Sequence, residues 1–352
     1  MAEREIGFGV LGLGMGQHHA RAVTDVEGAR LIAVCDHDPT RCDPVAEQYG
    51  VKGYHAFADL LADPEVEVVS IATESGTHMD RGLEAVAAGK HLLVEKPVDV
   101  RPERVRMLID GVGAAGVKAA AVFQSRTTPL NKRVKEALDS GRLGRLIGIH
   151  ALLPWYRAQS YYQGPHGEWK GTWDLDGGGS LANQGVHTVD LVQWFGGRVK
   201  SVFGQFGTFA HEIESEDASS AVLRFENGAI ATITTTTCAY PGLPQFITIF
   251  GDRGTIQKED ETLRTWTMVD ETEEDAKVRA YYGPRDGAEG SAIASDPMAV
   301  GAAGHHAHIK DLCQAILEDR DPEVTLESAL HAVEIFNAIF ESGRTGKEVT
   351  LA

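Results

Sequence analysis

An apolar run, Ile6–Leu11, breaks at Gly12-Leu13-Gly14-Met15-Gly16, and helical spacing follows at once from Gln17 to Val26. Few features restrict a fold as tightly. A strand that turns through glycines straight into a helix leaves the N–H groups of the helix N-terminus bare, and an anion can reach them because no Cβ intervenes. Leu31–Cys35 is a second apolar run, ending at Asp36. That carboxylate falls about twenty residues past the glycines, where it is placed to take a ribose 2′-hydroxyl. Together these features predict a dinucleotide-binding strand–helix–strand unit. The third glycine stands at Gly16, one place earlier than G-x-G-x-x-G puts it, with Gln17 in the expected position. Asp36, with Arg41 somewhat further on, favours NAD over NADP, because the carboxylate repels a 2′-phosphate.

Val66–Thr73 and His91–Glu95 repeat the apolar theme, and between them a helix is predicted over His78–Ala88, stopping at Gly89. Glu103–Ala115 and Lys118–Phe123 complete the alternation. Short, continuously apolar strands belong to parallel sheets covered by helices on both faces. Residues 1–123 are therefore expected to form an N-terminal Rossmann domain with a doubly wound parallel sheet. Beyond Gln124 the alternation stops. A helix over Pro129–Ser140 is followed by strand-like runs at Leu146–Leu153, Val199–Phe209, Ser219–Phe225, Ala229–Thr237 and Gln245–Phe250. Turn signals such as Glu226-Asn227-Gly228 and Gly251-Asp252-Arg253-Gly254 separate them. Residues 124–352 are expected to form an α+β domain with an open, mostly antiparallel sheet, one face packed and the other free to line a substrate cleft or a subunit contact. Helical spacing over His306–Leu317 and Leu326–Ser342 closes the chain.

The net charge of −18 argues against nucleic acid, which is bound through basic patches that release counterions. The acidic run from Lys258 to Asp275 reads as a solvated hairpin and loop. Met1–Glu5 resembles no signal peptide, and no apolar run is long enough to span a bilayer. A cytoplasmic protein with no membrane partner is expected. Cys35, Cys42, Cys238 and Cys313 show no C-x-x-C spacing, which predicts reduced structural thiols and no zinc site. His305-His306-Ala307-His308 lacks the i, i+4 spacing of a helical metal pair and reads as a helix start with solvent-facing imidazoles, one of them able to reach the cleft.

Two further stretches carry chemistry. Val94-Glu95-Lys96-Pro97 closes a strand and presents a lysine, and Asp176-Gly177-Gly178-Gly179-Ser180 leads to His187. The string Ile71-Ala72-Thr73…His78…Ala88-Gly89-Lys90-His91…Glu95-Lys96-Pro97, with Gly177-Gly178-Gly179-Ser180-Leu181…Gly185-Val186-His187-Thr188-Val189-Asp190 in the later half, resembles the Gfo/Idh/MocA family of sugar and cyclitol oxidoreductases. The resemblance covers nearly the whole chain. It implies Lys96 beside the nicotinamide ring and substrate carbon, with His187 across the cleft. It also implies cofactor contacts from Gly12, Gly14, Met15, Gly16, Asp36, Thr73, Ser75, His78, Glu95 and Lys96, and homodimers or homotetramers assembled through the open sheet. Two departures matter. Glu74-Ser75 replaces the family's usual Pro-Asn, and Asn183 stands where many relatives carry aspartate. Without an Asp–His pair there, His187 loses basicity and Lys96 gains importance.

Oxidising a secondary alcohol requires a hydride acceptor and a base for the hydroxyl proton. A partly desolvated lysine near a cationic nicotinamide has a lowered pKa suited to that transfer, and Glu95 is placed to orient it. His187 lies at i+4 from Asn183, on one helix face, while Asp190 reads as an ordinary helix carboxylate. Trp155-Tyr156-Arg157, Tyr161-Tyr162 and Trp169–Asp176 interleave aromatic and polar groups, as a sugar ring with its hydroxyls demands. Arg157, Tyr161, Trp173, Asn183 and Gln124 are the candidate substrate residues, with Arg126 beside Gln124. An NAD-dependent oxidoreductase acting on a sugar, sugar derivative or cyclitol is expected. The alternatives are redox-neutral glycoside cleavage through transient oxidation, known among such relatives, and an NAD-binding sensor without turnover.

Overall fold

The computed structural model describes residues 4–164, 167–284, 294–295 and 303–351. Six strands form one sheet: β1 (Ile6–Leu11), β2 (Ala29–Cys35), β3 (Lys52–Tyr54), β4 (Val68–Ile71), β5 (His91–Val94) and β6 (Ala119–Ala121). Their order is 3-2-1-4-5-6 and every pair is parallel. This is the doubly wound dinucleotide-binding arrangement, with the switch of direction between β1 and β4. All residues of β1 and β4 are buried, as helices on both sheet faces require.

The chain divides into two units, residues 1–124 with 301–333, and residues 125–300 with 334–352. The single boundary expected after residue 123 is thus replaced by a return of the chain to the first unit. Helix Ala303–Glu318 causes the return: its Ile309, Leu312 and Cys313 are buried in one cluster with Ile6, Phe8, Val10 and Ala20. Its apolar spacing announced a buried face without saying which sheet that face covers. The division falls within the long helix Leu326–Thr345.

The second unit holds β7 (Leu146–Pro154), β8 (Val199–Gly207), β9 (Ala218–Phe225), β10 (Ile230–Thr236), β11 (Phe246–Gly251), β12 (Gly254–Glu259), β13 (Thr262–Met268) and β14 (Val349–Thr350). They form a sheet in the order 13-12-11-7-10-9-8-14. Every pair is antiparallel except β7 with β10. The turns around Asn227-Gly228 and Asp252-Arg253 close the expected hairpins. Burial alternates along β9, and helix Val186–Gly196 packs on β7 from the covered side. Leu152, Phe203, Val222 and Ile230 are exposed on the strands.

The acidic run is not uniformly solvated, contrary to its composition. Lys258 and Asp275 are buried. Asp275 accepts hydrogen bonds from the Trp266 indole and from Arg142, both at 2.7 Å, and caps helix Glu273–Tyr282. Charge count cannot reveal a carboxylate whose donors include an arginine from elsewhere in the fold. The four cysteines are free thiols, and no helix among the described residues is long and apolar enough to cross a membrane.

Candidate active site

The glycine turn of the first unit has the shape that its residues dictate. Gly12 adopts φ +84°, and a Cβ there would stand 2.7 Å from the Ala72 carbonyl oxygen. Only glycine fits. A Cβ on Gly14 would meet nothing within 4 Å, so its exposed backbone can receive a ligand, whereas Gly16 packs against Val10 at the start of helix Gly16–Asp25. The early third glycine therefore performs the helix-to-strand packing. Met15 is the residue before this helix. Asp36 is buried at the end of β2, and its Oδ2 accepts the Leu13 N–H at 2.8 Å while Oδ1 accepts that of Asp38 at 3.0 Å. Each oxygen retains a lone pair for a hydroxyl. Arg41 approaches Oδ2 only to 3.9 Å. An open glycine backbone beside a fixed carboxylate fits a dinucleotide.

Lys96 follows β5 and is half-buried. Its peptide N–H donates to Glu95 Oε2 at 2.9 Å. The next carbonyl, Pro97, lies 2.8 Å from Nδ1 of buried His78, whose Nε2 lies 3.1 Å from the Thr73 carbonyl. His78 thus stands between the loop after β4 and the loop after β5; both neighbours are carbonyl oxygens that only accept, so a neutral ring donates to one of them at a time. Thr73 and Thr77 share a hydroxyl contact of 2.8 Å, and Ser75 is buried in the turn between them. Gln124 sits in this unit too, its amide 3.1 Å from His305. The run from His305 to His308 is not the solvent-facing helix start expected of it, since His305 and His308 are buried. Burial lowers the His308 pKa to about 4.

In the second unit a polar chain runs beneath Tyr161. The Asn183 amide donates to Asp176 Oδ1 at 2.5 Å, Gln184 donates to Asn183 Oδ1 at 2.7 Å and to the Tyr161 hydroxyl at 3.0 Å, and Arg157 donates to Gln184 Oε1 at 2.7 Å. Arg157 lies between the rings of Trp155 and Tyr161, at 5.1 and 5.6 Å, while Lys170 stands 3.9 Å over Tyr161. Burial lowers the Lys170 pKa and raises that of Tyr161. Trp173 has a different setting. It packs edge-on against Phe206 and Phe340 with Arg344 at 4.6 Å.

Asn183 belongs to a π-type turn, Ser180–Gln184, that precedes helix Val186–Gly196. Asn183 thus lies in the π-type turn and not in the α-helix that carries His187, and its amide meets Asp176. Asp190 pairs with Arg126, Nε to Oδ2 at 2.8 Å and Nη2 to Oδ1 at 2.5 Å, both side chains buried. His187 is half-buried in the first turn.

Sequence reasoning missed Asp176, Gln184, Lys170 and Glu216. The position of Asp176, directly before the triple glycine, was the available signal. Glu216 has none. Its Oε1 accepts the Leu181 N–H at 2.9 Å and its Oε2 the Ser180 hydroxyl at 2.5 Å. A Cβ on Gly179 would lie 2.2 Å from the Glu216 carbonyl oxygen. Burial pushes the carboxyl up to about 7, with the Ser180 and Leu181 hydrogen bonds opposing.

Comparison with known proteins places the two halves of the chain in a family. Residues 6–123 match a family described as oxidoreductases with an NAD-binding Rossmann fold, and residues 131–257 match the Gfo/Idh/MocA C-terminal domain. Inositol 2-dehydrogenase of Rubrobacter xylanophilus is 30% identical over 72% of this chain and 71% of its own length. Myo-inositol 2-dehydrogenase of Thermotoga maritima is 28% identical, over 78% and 81%. The WlbA dehydrogenase of Bordetella pertussis, solved with NADH and UDP-GlcNAcA, superposes with a TM-score of 0.88 at 29% identity over 99% of each chain. With both of its domains matched in order, the chain belongs to the Gfo/Idh/MocA family of oxidoreductases and carries that family's NAD-binding Rossmann domain.

Proposed function

We propose that the protein moves hydride between NAD and a ring carbon of a sugar, sugar derivative or cyclitol, with Lys96 and His187 carrying the hydroxyl proton. The observation that carries this reading is the fixation of the lysine backbone: Glu95 holds its N–H, and His78 holds the Pro97 carbonyl beside the Thr73 loop. A group that must meet a reacting atom gains most from such restraint. NAD, when bound, supplies the hydride acceptor or donor. Gly12, Gly14, Met15 and Gly16 receive its pyrophosphate, Asp36 takes the ribose hydroxyl, and Thr73 and Ser75 border the cofactor. Asn183, set by Asp176 and Gln184, holds a substrate hydroxyl, with Arg157 and Tyr161 beside it.

One observation favours a narrower substrate class. Arg157 and Lys170 both lie over the Tyr161 ring, and two cations against the single nearby carboxylate of Asp176 leave a positive field suited to a carboxylate. An acidic sugar fits that field better than a neutral inositol; the Bordetella relative is solved with UDP-GlcNAcA. The exposed side chains Leu152, Phe203, Val222 and Ile230 are assigned to self-association in the cytoplasm. Incubation with NAD and a panel of inositols, neutral sugars, uronic acids and glycosides tests the function, with nicotinamide absorbance and product mass followed together. Reduced cofactor with a product two hydrogens lighter supports hydride transfer. Cleaved glycoside with unchanged cofactor, or binding without turnover, overturns it.

A further inference from the structure

Glu95 is buried among groups that the reaction described above does not use. His19 in helix Gly16–Asp25 and His305 in helix Ala303–Glu318 are both fully buried, with ring centroids 4.5 Å apart. Nε2 of His19 lies 2.9 Å, and Nε2 of His305 3.2 Å, from the same oxygen, Glu95 Oε1. On the far side of His19, Nδ1 lies 2.7 Å from the hydroxyl of buried Ser70 in β4. The other carboxylate oxygen, Oε2, takes the Lys96 peptide N–H.

Proton placement follows from this network. A carboxylate only accepts, so each imidazole carries a proton on the Nε2 that faces Glu95, and the Gln124 amide, 3.1 Å from His305 Nε2, must turn its oxygen toward that N–H; with the His19 ring neutral, the Ser70 hydroxyl donates to its Nδ1. Burial alone raises the Glu95 carboxyl, but the hydrogen bonds from His19 and His305 outweigh it and hold the group well below its usual range. His19 is itself held down, by burial and by His305. The carboxylate therefore stays ionised inside the fold because two imidazole N–H groups donate to it. Zinc ligation is the competing chemistry for two imidazoles and a carboxylate. Both Nε2 atoms sit at hydrogen-bonding distance from one oxygen, and the test below separates the two chemistries.

We propose that His19 and His305 are positioning residues for Lys96: they lock the Glu95 carboxylate, and that carboxylate fixes the peptide from which the lysine side chain starts. The inference rests on the proposed role of Lys96. It assigns His305, more than two hundred residues away in the sequence, to the reaction through a helix that the chain returns to the first unit.

The test compares His305→Leu, which keeps bulk without a donor, and His305→Gln, which restores an N–H, with Lys96→Ala measured alongside. For each, kcat, KM, the NAD Kd and the thermal midpoint are recorded. The H305L variant is expected to lose kcat by roughly 10- to 100-fold, the size of effect that misplacing a reacting group produces. Its KM and NAD Kd stay within about threefold of wild type, and H305Q regains most of the rate. Equal rates in H305L and wild type, or a H305Q protein that neither folds nor recovers, would overturn the inference. Stoichiometric zinc whose removal abolishes activity would overturn it in favour of ligation. If K96A is inactive while H305L matches wild type, the positioning role alone fails; if K96A itself turns over normally, the role of Lys96 falls first.

Discussion

Exchanging Glu216 for glutamine removes a carboxyl that titrates inside the fold, beneath the glycine segment that leads to Asn183 and His187. Burial pushes it from the ordinary 4.5 to about 7. Between those two values the folded carboxyl keeps a proton that the unfolded chain has lost, so the native state binds more protons. Stability therefore falls as pH rises through this window and levels off above about 7. At 1.36 kcal/mol per unit, the displacement amounts to about 3 kcal/mol. Glutamine is a fixed copy of the protonated state. Its oxygen accepts the Leu181 N–H, its amide donates to Ser180, and the Ser180 hydroxyl can turn to Thr235, 3.0 Å away. E216Q should thus match wild type below about pH 4 and exceed it by up to about 3 kcal/mol at about pH 8, roughly 6–12 °C in Tm for a domain of this size. Thermal melts of both proteins across that range isolate the one group, because all other titrations cancel in the difference. A constant difference, or a variant that falls further behind as pH rises, would refute the buried protonated carboxyl.

The remaining expectations concern ligands. Asp36→Ala should raise NADP binding relative to NAD by at least about tenfold, read from the two Kd values, because the carboxylate that repels a 2′-phosphate is gone. Gly14→Ala should leave the Tm nearly unchanged, since its Cβ meets nothing within 4 Å, yet weaken NAD by on the order of tenfold by standing where the pyrophosphate approaches. Lys170→Met should lower kcat/KM for acidic sugars by roughly 10- to 100-fold and leave neutral cyclitols within about threefold, the difference reflecting one lost charged contact. Similar losses on both classes would remove the case for a carboxylate-bearing substrate.

The first unit was largely legible because its signals are local. Gly12, Gly14 and Asp36 lie within one strand–helix–strand segment, and each has a steric or electrostatic reason that a single residue type expresses. Lys96 and His187 stood out by the resemblance their surrounding strings carry. What escaped depends on distance along the chain. Helix Ala303–Glu318 shows an apolar face, but only the fold reveals that the face meets Ile6 and Phe8. Glu216 is an unremarkable acid until Ser180 and Leu181 donate to it. Asn183 was read on an α-helix with His187; it lies in a π-type turn over Ser180–Gln184, and the contact with Asp176 was not foreseen. Sequence periodicity resolves a helix from a strand more readily than it resolves one helical pitch from another.

Single-turnover hydride transfer by Lys96→Ala, with NAD affinity measured on the same preparation, bears most directly on the proposed chemistry. Loss of an essential acid–base group should slow transfer by about 10²- to 10⁴-fold while the NAD Kd stays within about threefold, because the proposed cofactor contacts rest on the glycine turn and Asp36. Transfer at the wild-type rate would show that Lys96 only closes β5, and the proton would have to be carried by another group.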